Sequence, residues 1–376
     1  MRSKKLTGLG ILIIALSLLL FGGIQAVGET HTVTDITFLE GYLSNKTFTT
    51  TGNVSPGDTV KLDLQSDSQT VSQTIVIDVP EVTIDGMGNT VFVEGGTIHP
   101  PGMTDPPDAV FLITKGGSDN KDLKIYDLNV TNVGSTITNA FLVNPPACEG
   151  SSDITFEDIG IPSSCPGDEM MFQYGIHFTS NVCAWGFDDI DFIEVIIECC
   201  IGHNENIPAG IFFDEALNNV SNVTFENTSV QHVGINSSSI PGPGVLFAND
   251  ELLSGVKFSD STISNNTTNG LEINGPDNIK DLTLDSSEFD QNTSSGTDII
   301  SGEGEGYLNN LKVIDETSFD GNGENGFVAS VGNLGSPLFD NSQANDNETA
   351  GVRIENSRDI VDAEVSSSSF NGNVEG

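Results

Sequence analysis

The chain has 376 residues, and its 54 Asp and Glu against 13 Lys and Arg give a formal net charge of −41. So acidic a chain excludes a nucleic-acid binder that relies on basic contacts to phosphate, and it disfavours binding to anionic membranes. Three explanations of the charge stay open: a salt-rich habitat, neutralisation by Ca²⁺, and solubility.

The first 26 residues have the layout of a secretory signal. Basic residues within the first five positions precede an apolar run from Leu9 to Ile24, and the small residue Ala26 closes the segment. The run of 16 residues is shorter than the ~20 that cross a bilayer, which favours cleavage near Ala26 over a retained anchor. We therefore predict a secreted or cell-surface protein with no membrane span after removal of residues 1–26.

The remaining chain divides into a cap and a repetitive body. Residues 27–55 are predicted to cap the open end of a solenoid, because terminal repeats differ from internal ones. The predicted body, residues 56–376, consists of short segments with apolar residues two apart, which face one side of a strand. Its coils are interrupted by insertions over residues 100–215 and are regular over residues 218–376.

Covalent modification is expected in an exported chain. All five cysteines lie in the insertion-rich part, and we expect disulfides between Cys148 and Cys165 and between Cys183 and either Cys199 or Cys200. The odd number leaves at least one thiol free or paired between chains. Eleven Asn-x-Ser/Thr triplets are candidate glycosylation sites, although a chain this rich in Asn, Ser and Thr also forms them by chance.

The strongest internal signal is a repeat in the C-terminal half. An apolar residue, two small or polar residues and an Asn recur, and the Asn positions are 26, 30, 25 and 26 residues apart. A short strand of alternating apolar residues precedes each Asn. In stacked coils, Asn residues at equivalent turns are expected to form a hydrogen-bonded ladder. The predicted ladder consists of Asn266, Asn292, Asn322, Asn347 and Asn373.

One such repeat cannot bury its own apolar face, whereas stacking at the strand spacing of ~4.8 Å covers each coil with the next. We therefore predict an all-β fold, a right-handed parallel β-helix of roughly 10–12 coils. A β-propeller is the alternative all-β fold, but its blades need longer strands and a period of about 40 residues or more.

Several segments resemble a known group of proteins. Val82 to Val91 looks like the opening coil of pectin-lyase-like right-handed β-helix proteins. The segments Ser318 to Asn322 and Ser369 to Asn373 resemble the Phe-x-x-Asn repeats of secreted β-helix and polymorphic outer-membrane proteins. The resemblance covers roughly residues 55–376 and implies the fold. It does not choose a function, because the group includes polysaccharide lyases, glycosidases, adhesins and surface-layer components.

One segment is similar to polygalacturonase-like glycosidases, which carry paired Asp residues on one coil and Gly-His on the next. Asp188, Asp189 and His203 match this pattern, and two carboxylates near a His suit acid–base hydrolysis. However, Asn204 replaces the expected Gly, and the basic segment at Arg353 lies about 150 residues too far along the chain. A turn and a solvent-facing strand edge is therefore the favoured interpretation of these residues.

The regular coils, the few basic residues and the lack of an intact catalytic motif favour a non-enzymatic secreted or surface protein with an adhesive, envelope or glycan-binding role. The alternative is a polysaccharide-degrading enzyme, either a glycoside hydrolase or a lyase, with its site on the middle coils, residues 140–215. The expected partner is a polysaccharide or glycan, no organic cofactor is expected, and Ca²⁺ is the metal that the acidity suits.

Two further expectations concern single features. His177 lies between Ile176 and Phe178, so it is predicted to face out of a strand. The sequence reaches Gly376 directly after the last Asn of the repeat. The strand edges of the last coil would then be open, which predicts end-to-end self-association.

Overall fold

The structure is a computed structural model that describes residues 28–66, 68–94, 108–116, 122–133, 137–145, 151–162, 172–180, 186–198, 200, 207–234, 241–302, 306–355 and 358–374. The predicted signal, His203 and four of the cysteines (Cys148, Cys165, Cys183 and Cys199) lie outside the described residues. Their predicted roles therefore stay predictions.

Within the described residues the chain forms 31 strands and two short 3₁₀ helices, Ile36–Leu39 and Leu43–Asn45. The first sixteen strands are β1 (Thr30–Val33), β2 (Gly41–Tyr42), β3 (Thr47–Phe48), β4 (Gly52–Asn53), β5 (Thr59–Leu62), β6 (Ser68–Val71), β7 (Ile75–Ile77), β8 (Thr83–Glu94), β9 (Ala109–Ile113), β10 (Leu123–Val133), β11 (Asn139–Val143), β12 (Ser151–Ile161), β13 (Tyr174–Phe178), β14 (Phe187–Ile193), β15 (Ile196–Glu198) and β16 (Ala209–Phe213).

The remaining strands belong to the coils after residue 218. They are β17 (Asn219–Glu226), β18 (Ser229–Gln231), β19 (Val245–Phe247), β20 (Leu252–Ser259), β21 (Thr262–Ser264), β22 (Leu271–Gly275), β23 (Asn278–Asp285), β24 (Thr297–Ser301), β25 (Tyr307–Ile314), β26 (Phe327–Ser330), β27 (Asn333–Gly335), β28 (Leu338–Asp340), β29 (Val352–Glu355), β30 (Asp359–Val361) and β31 (Glu364–Ser366).

Two long parallel sheets wind around one core. The eighteen-stranded sheet takes one or two strands from each coil. The eleven-stranded sheet takes one strand from each, in the order β2, β7, β9, β11, β13, β16, β19, β22, β24, β26, β29. Only the hairpin β3–β4 pairs antiparallel in the described part of the chain. The eleven strands of this second sheet mark eleven coils in the described part of the chain, which confirms the predicted right-handed parallel β-helix and its roughly 10–12 coils.

Left-handed backbone conformations mark the corners of the coils. Asp189, Asn222, Gly255, Asp281 and Asn310 have φ of 54°, 50°, 64°, 55° and 57°. Each directly follows a register-paired residue, at the equivalent position of successive coils in the eighteen-stranded sheet. Asn, Asp and Gly tolerate this conformation better than other residues do. The abundance of these residues between the predicted strands therefore has a conformational cause.

The core is filled by columns of phenylalanine rings. Phe192, Phe225 and Phe258 stack along the solenoid axis with centroids 4.8 and 4.2 Å apart. Phe247, from the opposite sheet, meets Phe225 edge-on at 6.3 Å. All four rings are fully buried. Stacked and edge-to-face pairs both suit the charge distribution of aromatic rings, so the two sheets interlock through favourable contacts.

The five repeat Asn residues occupy equivalent turns. At each step from Asn266 to Asn373, the backbone N–H and Nδ2 of one Asn donate to Oδ1 of the next, at 2.9–3.2 Å. The first four side chains are almost completely buried. The glycosylation triplets that begin at Asn266, Asn292 and Asn347 are therefore inaccessible to a glycan in the folded protein.

The two ends of the solenoid differ. At the N-terminal end, β1 pairs in parallel with β5, and the hairpin β3–β4 packs beside it through the buried Phe48. In the last coil Ile360 and Val365 are register partners of the buried Leu334 and Phe339, yet they are 51% and 61% exposed. The predicted end-to-end self-association stays a prediction. No helix among the described residues has the length and apolar character needed to cross a membrane.

Cys200 is the cysteine that the structure describes. Its thiol is free, so the predicted alternative that pairs Cys183 with Cys200 is wrong. The thiol is almost completely buried, and burial raises its pKa to about 12. The thiol is consequently un-ionised at neutral pH and serves as an apolar core side chain.

Candidate functional site

The outer face of the eleven-stranded sheet carries a cluster of polar and aromatic contacts. Along β13, Ile176 and Phe178 point into the core and are fully buried, so His177 between them points outward, as predicted. Its register partners on the adjacent strands are Leu142 and Phe212. Residues from three successive coils thus meet at one point on this face.

His177 is held by oxygen acceptors from both neighbouring coils. Its Nδ1 lies 3.1 Å from Oδ1 of Asn139, and its Nε2 lies 3.1 Å from Oδ2 of Asp214. Nδ2 of Asn139 donates to the backbone oxygen of Asp108 at 2.9 Å, which leaves Oδ1 as the acceptor toward the ring. An oxygen atom therefore lies at hydrogen-bond distance from each ring nitrogen, and the two contacts fix the orientation of the ring.

Two aromatic rings, Tyr174 and Phe212, pack against the imidazole of His177. Phe212 stacks on His177 with ring centroids 4.9 Å apart and an interplanar angle of 17°. Tyr174 lies 4.7 Å from His177 and 5.2 Å from Phe212. Nε2 of Gln173 donates to the Tyr174 hydroxyl at 2.9 Å, so the phenolic proton remains available to a ligand. We call Asn139, Tyr174, His177, Phe212 and Asp214 the His177 cluster.

The glycine before the cluster is required for the close packing of the strands. A Cβ atom at Gly175 would lie 2.6 Å from the backbone oxygen of Gly210 and 2.9 Å from the Ile197 side chain. Only Gly fits at that separation. β13 can therefore approach β16 closely enough to bring Tyr174 and His177 into contact with Phe212.

The environment sets the protonation states of the cluster. Burial desolvates the Asp214 carboxyl, but hydrogen bonds from His177, the Ala216 backbone N–H and Thr179 outweigh this effect and lower its pKa. Burial, followed by the negative charge of Asp214, raises the pKa of Tyr174 to about 12. At neutral pH the cluster holds an ionised carboxylate beside a protonated phenol, which provides a proton donor and an orienting anion.

A pair of carboxyl groups lies further along the same face. The outward row continues from Phe212 through Leu246 to Glu272 and Asp298, which are register partners on β22 and β24. Nδ2 of Asn269 donates to Glu272 at 3.0 Å. Burial raises the pKa of Glu272, and burial together with the charge of Glu272 raises the pKa of Asp298 to about 6. From His177 to Asp298 the row spans ~19 Å, four strand spacings.

The sequence-predicted candidates lie elsewhere. Asp188 accepts from Oγ of Ser221 at 2.6 Å and Nδ2 of Asn222 at 3.0 Å, and Asp189 forms a left-handed corner. Both side chains are exposed on the eighteen-stranded sheet, whereas the His177 cluster lies on the eleven-stranded sheet. Because His203 is outside the described residues, its convergence with this pair stays a prediction.

No group of three or more His, Cys, Asp and Glu side chains within the described ranges is arranged to hold a metal ion. Binding of Ca²⁺, predicted from the acidity of the chain, accordingly stays a prediction.

The sequence places Tyr174 and His177 on an outward face, but it does not bring Asp214 to them. His177 and Asp214 are 37 residues apart, and in the insertion-rich coils this separation does not follow the 25–30-residue repeat of the C-terminal half. A signal was nevertheless present. His177 lies between two buried apolar residues of β13, and Asp214 directly follows the buried Phe213 at the end of β16. A polar residue next to buried residues in this alternation takes an outward position.

No family model matches the chain, and no curated protein sequence matches it. Solved structures with similar folds include two Azotobacter vinelandii mannuronan C-5 epimerase A-modules. That of AlgE4 has 12% identity, TM-score 0.43 and coverage of 93% of this chain and 89% of that chain. That of AlgE6 has 10% identity, TM-score 0.38 and coverage of 93% and 92%. The catalytic unit of a GH87 α-1,3-glucanase from Streptomyces thermodiastaticus has 12% identity, TM-score 0.28 and coverage of 84% and 63%.

These similarities correct one expectation. The predicted main role is a non-enzymatic adhesive, envelope or glycan-binding protein, whereas the matched solved structures are modules of a mannuronan C-5 epimerase and catalytic units of α-1,3-glucanases. The predicted alternative, an enzyme that acts on a polysaccharide, therefore replaces it as the proposal. At 10–12% identity the likeness shows a shared fold alone. Any reaction must therefore be argued from the side chains of this chain.

Proposed function

We propose that this protein is an enzyme that acts on a polysaccharide by proton transfer, with the His177 cluster as its active site. The observation that carries the proposal is the position of His177, whose two ring nitrogens face Asn139 and Asp214 while its ring lies against Tyr174 and Phe212. A histidine oriented by a carboxylate beside a ligand-accessible hydroxyl is a recurrent acid–base arrangement.

The roles follow from the contacts. In the proposed reaction the substrate replaces Asn139 as the partner of Nδ1 of His177, and the proton is transferred there. Asp214 at Nε2 orients the ring and stabilises its charged form, as a carboxylate does for other catalytic histidines. The Tyr174 hydroxyl donates a second hydrogen bond to the substrate or to the group that develops charge. The partly exposed Phe212 ring offers an apolar surface to a sugar ring. A sugar that packs on this ring has its reacting bond placed next to His177.

The shape of the face suits a chain-like substrate. The eleven-stranded sheet extends along the solenoid axis. Its outward row holds the partly exposed His177, Phe212, Glu272 and Asp298, with the buried Leu246 between Phe212 and Glu272. A polysaccharide lying along this row would place several sugar units on successive coils. Export, predicted from residues 1–26, would bring the enzyme to extracellular polysaccharides.

The test is a turnover assay on a panel of neutral glucans, mannuronan and pectate. It measures new reducing ends, unsaturated uronate absorbance and deuterium incorporation from D₂O, so that hydrolysis, elimination and epimerisation are all detected. We expect turnover of at least one polymer and a loss of ~100-fold or more in His177→Gln, the range typical of a lost acid–base group. His232→Gln is the matched control, since His232 lies at a left-handed corner after β18, outside the His177 cluster. Equal activity in His177→Gln and His232→Gln would refute the proposal.

A second candidate reaction is glycosidic hydrolysis at Glu272 and Asp298. The observation that favours it is their register pairing on adjacent strands, together with the pKa of Asp298 at about 6, which makes this carboxyl a better proton donor near that pH than an ordinary Asp. Asp298→Asn would then remove the release of reducing ends, while His177→Gln would retain it. The reverse result assigns the chemistry to the His177 cluster.

A further inference from the structure

A cavity of about 440 Å³ opens at the N-terminal end of the solenoid, away from the His177 cluster. One wall comes from β1 and the 3₁₀ helix Ile36–Leu39, and the other comes from the hairpin β3–β4. Phe38 and Phe48 contribute ring surface, and Thr34, Thr47 and Thr49 contribute hydroxyl groups. The lining thus combines apolar ring faces with neutral hydrogen-bonding groups.

The aromatic part of the cavity is accessible. Phe38 is 41% exposed, an unusual position for so large an apolar side chain, and it meets the buried Phe48 edge-on with centroids 5.0 Å apart. Nζ of Lys46 lies 5.7 Å from the Phe38 centroid. The Phe38 ring is therefore held in place while much of its surface remains open to a ligand.

The wall formed by the hairpin is held by a buried polar chain. Nε2 of His31 lies 3.0 Å from Oδ2 of Asp58, and Nδ1 of His31 lies 2.5 Å from Oγ1 of Thr51 on the hairpin. Asp58 also accepts from the backbone N–H groups of Glu29 and Ser55. The His31 ring is fully buried and packs 4.5 Å from the Phe48 ring. The cavity wall is consequently preformed, which lowers the entropic cost of binding a ligand.

The charge of the lining selects among ligands. Among the described residues that line the cavity, Asp35 is the one charged side chain, and its carboxylate already accepts from the backbone N–H and hydroxyl of Thr37. An anionic ligand such as a uronate would meet the Asp35 carboxylate, while the cation beside Phe38, Lys46, already donates to the backbone oxygen of Glu40. A neutral sugar, in contrast, can place its apolar face on Phe38 and its hydroxyl groups against the Thr side chains.

From this combination we infer that the cavity between β1 and the β3–β4 hairpin is a saccharide-binding site for a neutral sugar unit, separate from the His177 cluster. The site would bind one end or one unit of a glycan while the outer face of the eleven-stranded sheet holds another stretch. Two linked sites of this kind raise the overall affinity for a polymer without new contacts at either one.

The test uses the full chain and saturation-transfer NMR titrations with cellohexaose, laminarihexaose, maltohexaose and an oligomannuronate. We expect at least one neutral hexaose to bind, and Phe38→Ala to weaken binding by about tenfold or more, which corresponds to ~1.4 kcal/mol. Thr49→Val, which removes a hydroxyl and keeps the shape, should weaken it by a smaller factor. Tyr307→Ala, at a 49% exposed aromatic residue of β25, is the matched control and should bind as wild type does.

The titrations are repeated in His177→Gln and Phe212→Ala, so that this site is distinguished from the proposed active site. Retained hexaose binding in these two variants, together with its loss in Phe38→Ala, supports the inference even if no polysaccharide is turned over. Binding that is unchanged in Phe38→Ala, or preference for the oligomannuronate, or no binding of any neutral hexaose, would each overturn it. Circular dichroism of Phe38→Ala verifies that the β-helix is intact.

Discussion

Glu272 and Asp298 are register partners on adjacent strands of the eleven-stranded sheet, and both side chains face outward. Each is partly buried, and Asn269 hydrogen-bonds the first of them. Two carboxyl groups one strand spacing apart cannot both ionise at the ordinary pKa, since the second charge is repelled by the first. This pair therefore couples the stability of the C-terminal coils to pH.

Asp298→Asn is expected to stabilise the protein at pH 7. Burial and the charges of Glu272, Glu324 and Glu355 raise the pKa of Asp298 to about 6 in the folded state, from an unfolded value of 3.8. A raised pKa contributes stability that is present below the unfolded value and is lost as the pH rises through about 6. The thermal unfolding midpoint of Asp298→Asn should be higher than that of the wild type at pH 7.0, and this difference should disappear at pH 4.0. A variant advantage that is the same at both pH values would contradict the prediction.

Asp214→Asn is expected to impair activity more than stability. The amide removes the anion that orients His177, so the pH dependence of turnover should change and the rate at neutral pH should fall by ~10-fold or more. The lowered pKa of Asp214 also contributes stability that is present above its unfolded pKa and is lost as the pH falls through the folded value. Kinetics over pH 5–9 and thermal unfolding at pH 7 separate the two effects. An unaltered pH profile would show that Asp214 has no role in orienting the ring.

Asn322→Ala is expected to destabilise the solenoid from within. Asn322 is fully buried, its Oδ1 accepts from the backbone and Nδ2 of Asn292, and its own Nδ2 donates to Asn347. Removing the amide leaves buried donors without partners, each of which costs about 1–3 kcal/mol. Urea unfolding should show the loss, and Asn278→Ala, at a partly exposed position of β23, is the matched control. Equal stability of the two variants would mean that the ladder does not support the fold.

Phe225→Ala is expected to cost about 3–5 kcal/mol, the usual penalty for deleting a buried aromatic ring. Phe225 stacks between Phe192 and Phe258, so the cavity would interrupt a continuous column along the axis. Phe225→Leu refills part of the volume and should lose clearly less. Denaturant unfolding of both variants, compared with wild type, provides the measurement. A loss in Phe225→Leu as large as that in Phe225→Ala would show that ring stacking, rather than volume, sets the stability.

Much of the fold was predictable because it is encoded locally and repeated. Apolar residues two apart predict strands, and the spacing from Asn266 to Asn373 predicts coils that stack in register. The corner at Asp189 follows from the same logic, since Asp and Asn tolerate left-handed conformations. The Asp188 and Asp189 pair, which a motif suggests as catalytic, has instead the exposure and hydrogen bonds of a corner.

The sequence by itself determined that this protein is a parallel β-helix and that His177 faces outward from one of its strands. Only the tertiary structure decided which groups surround that histidine. Asn139 and Asp214 are 38 and 37 residues from His177 along the chain, and insertions of irregular length separate their coils. The contacts depend on the register between β11, β13 and β16, and a shift of one residue would turn these side chains into the core. That register arises from packing over the whole solenoid, which no local pattern contains.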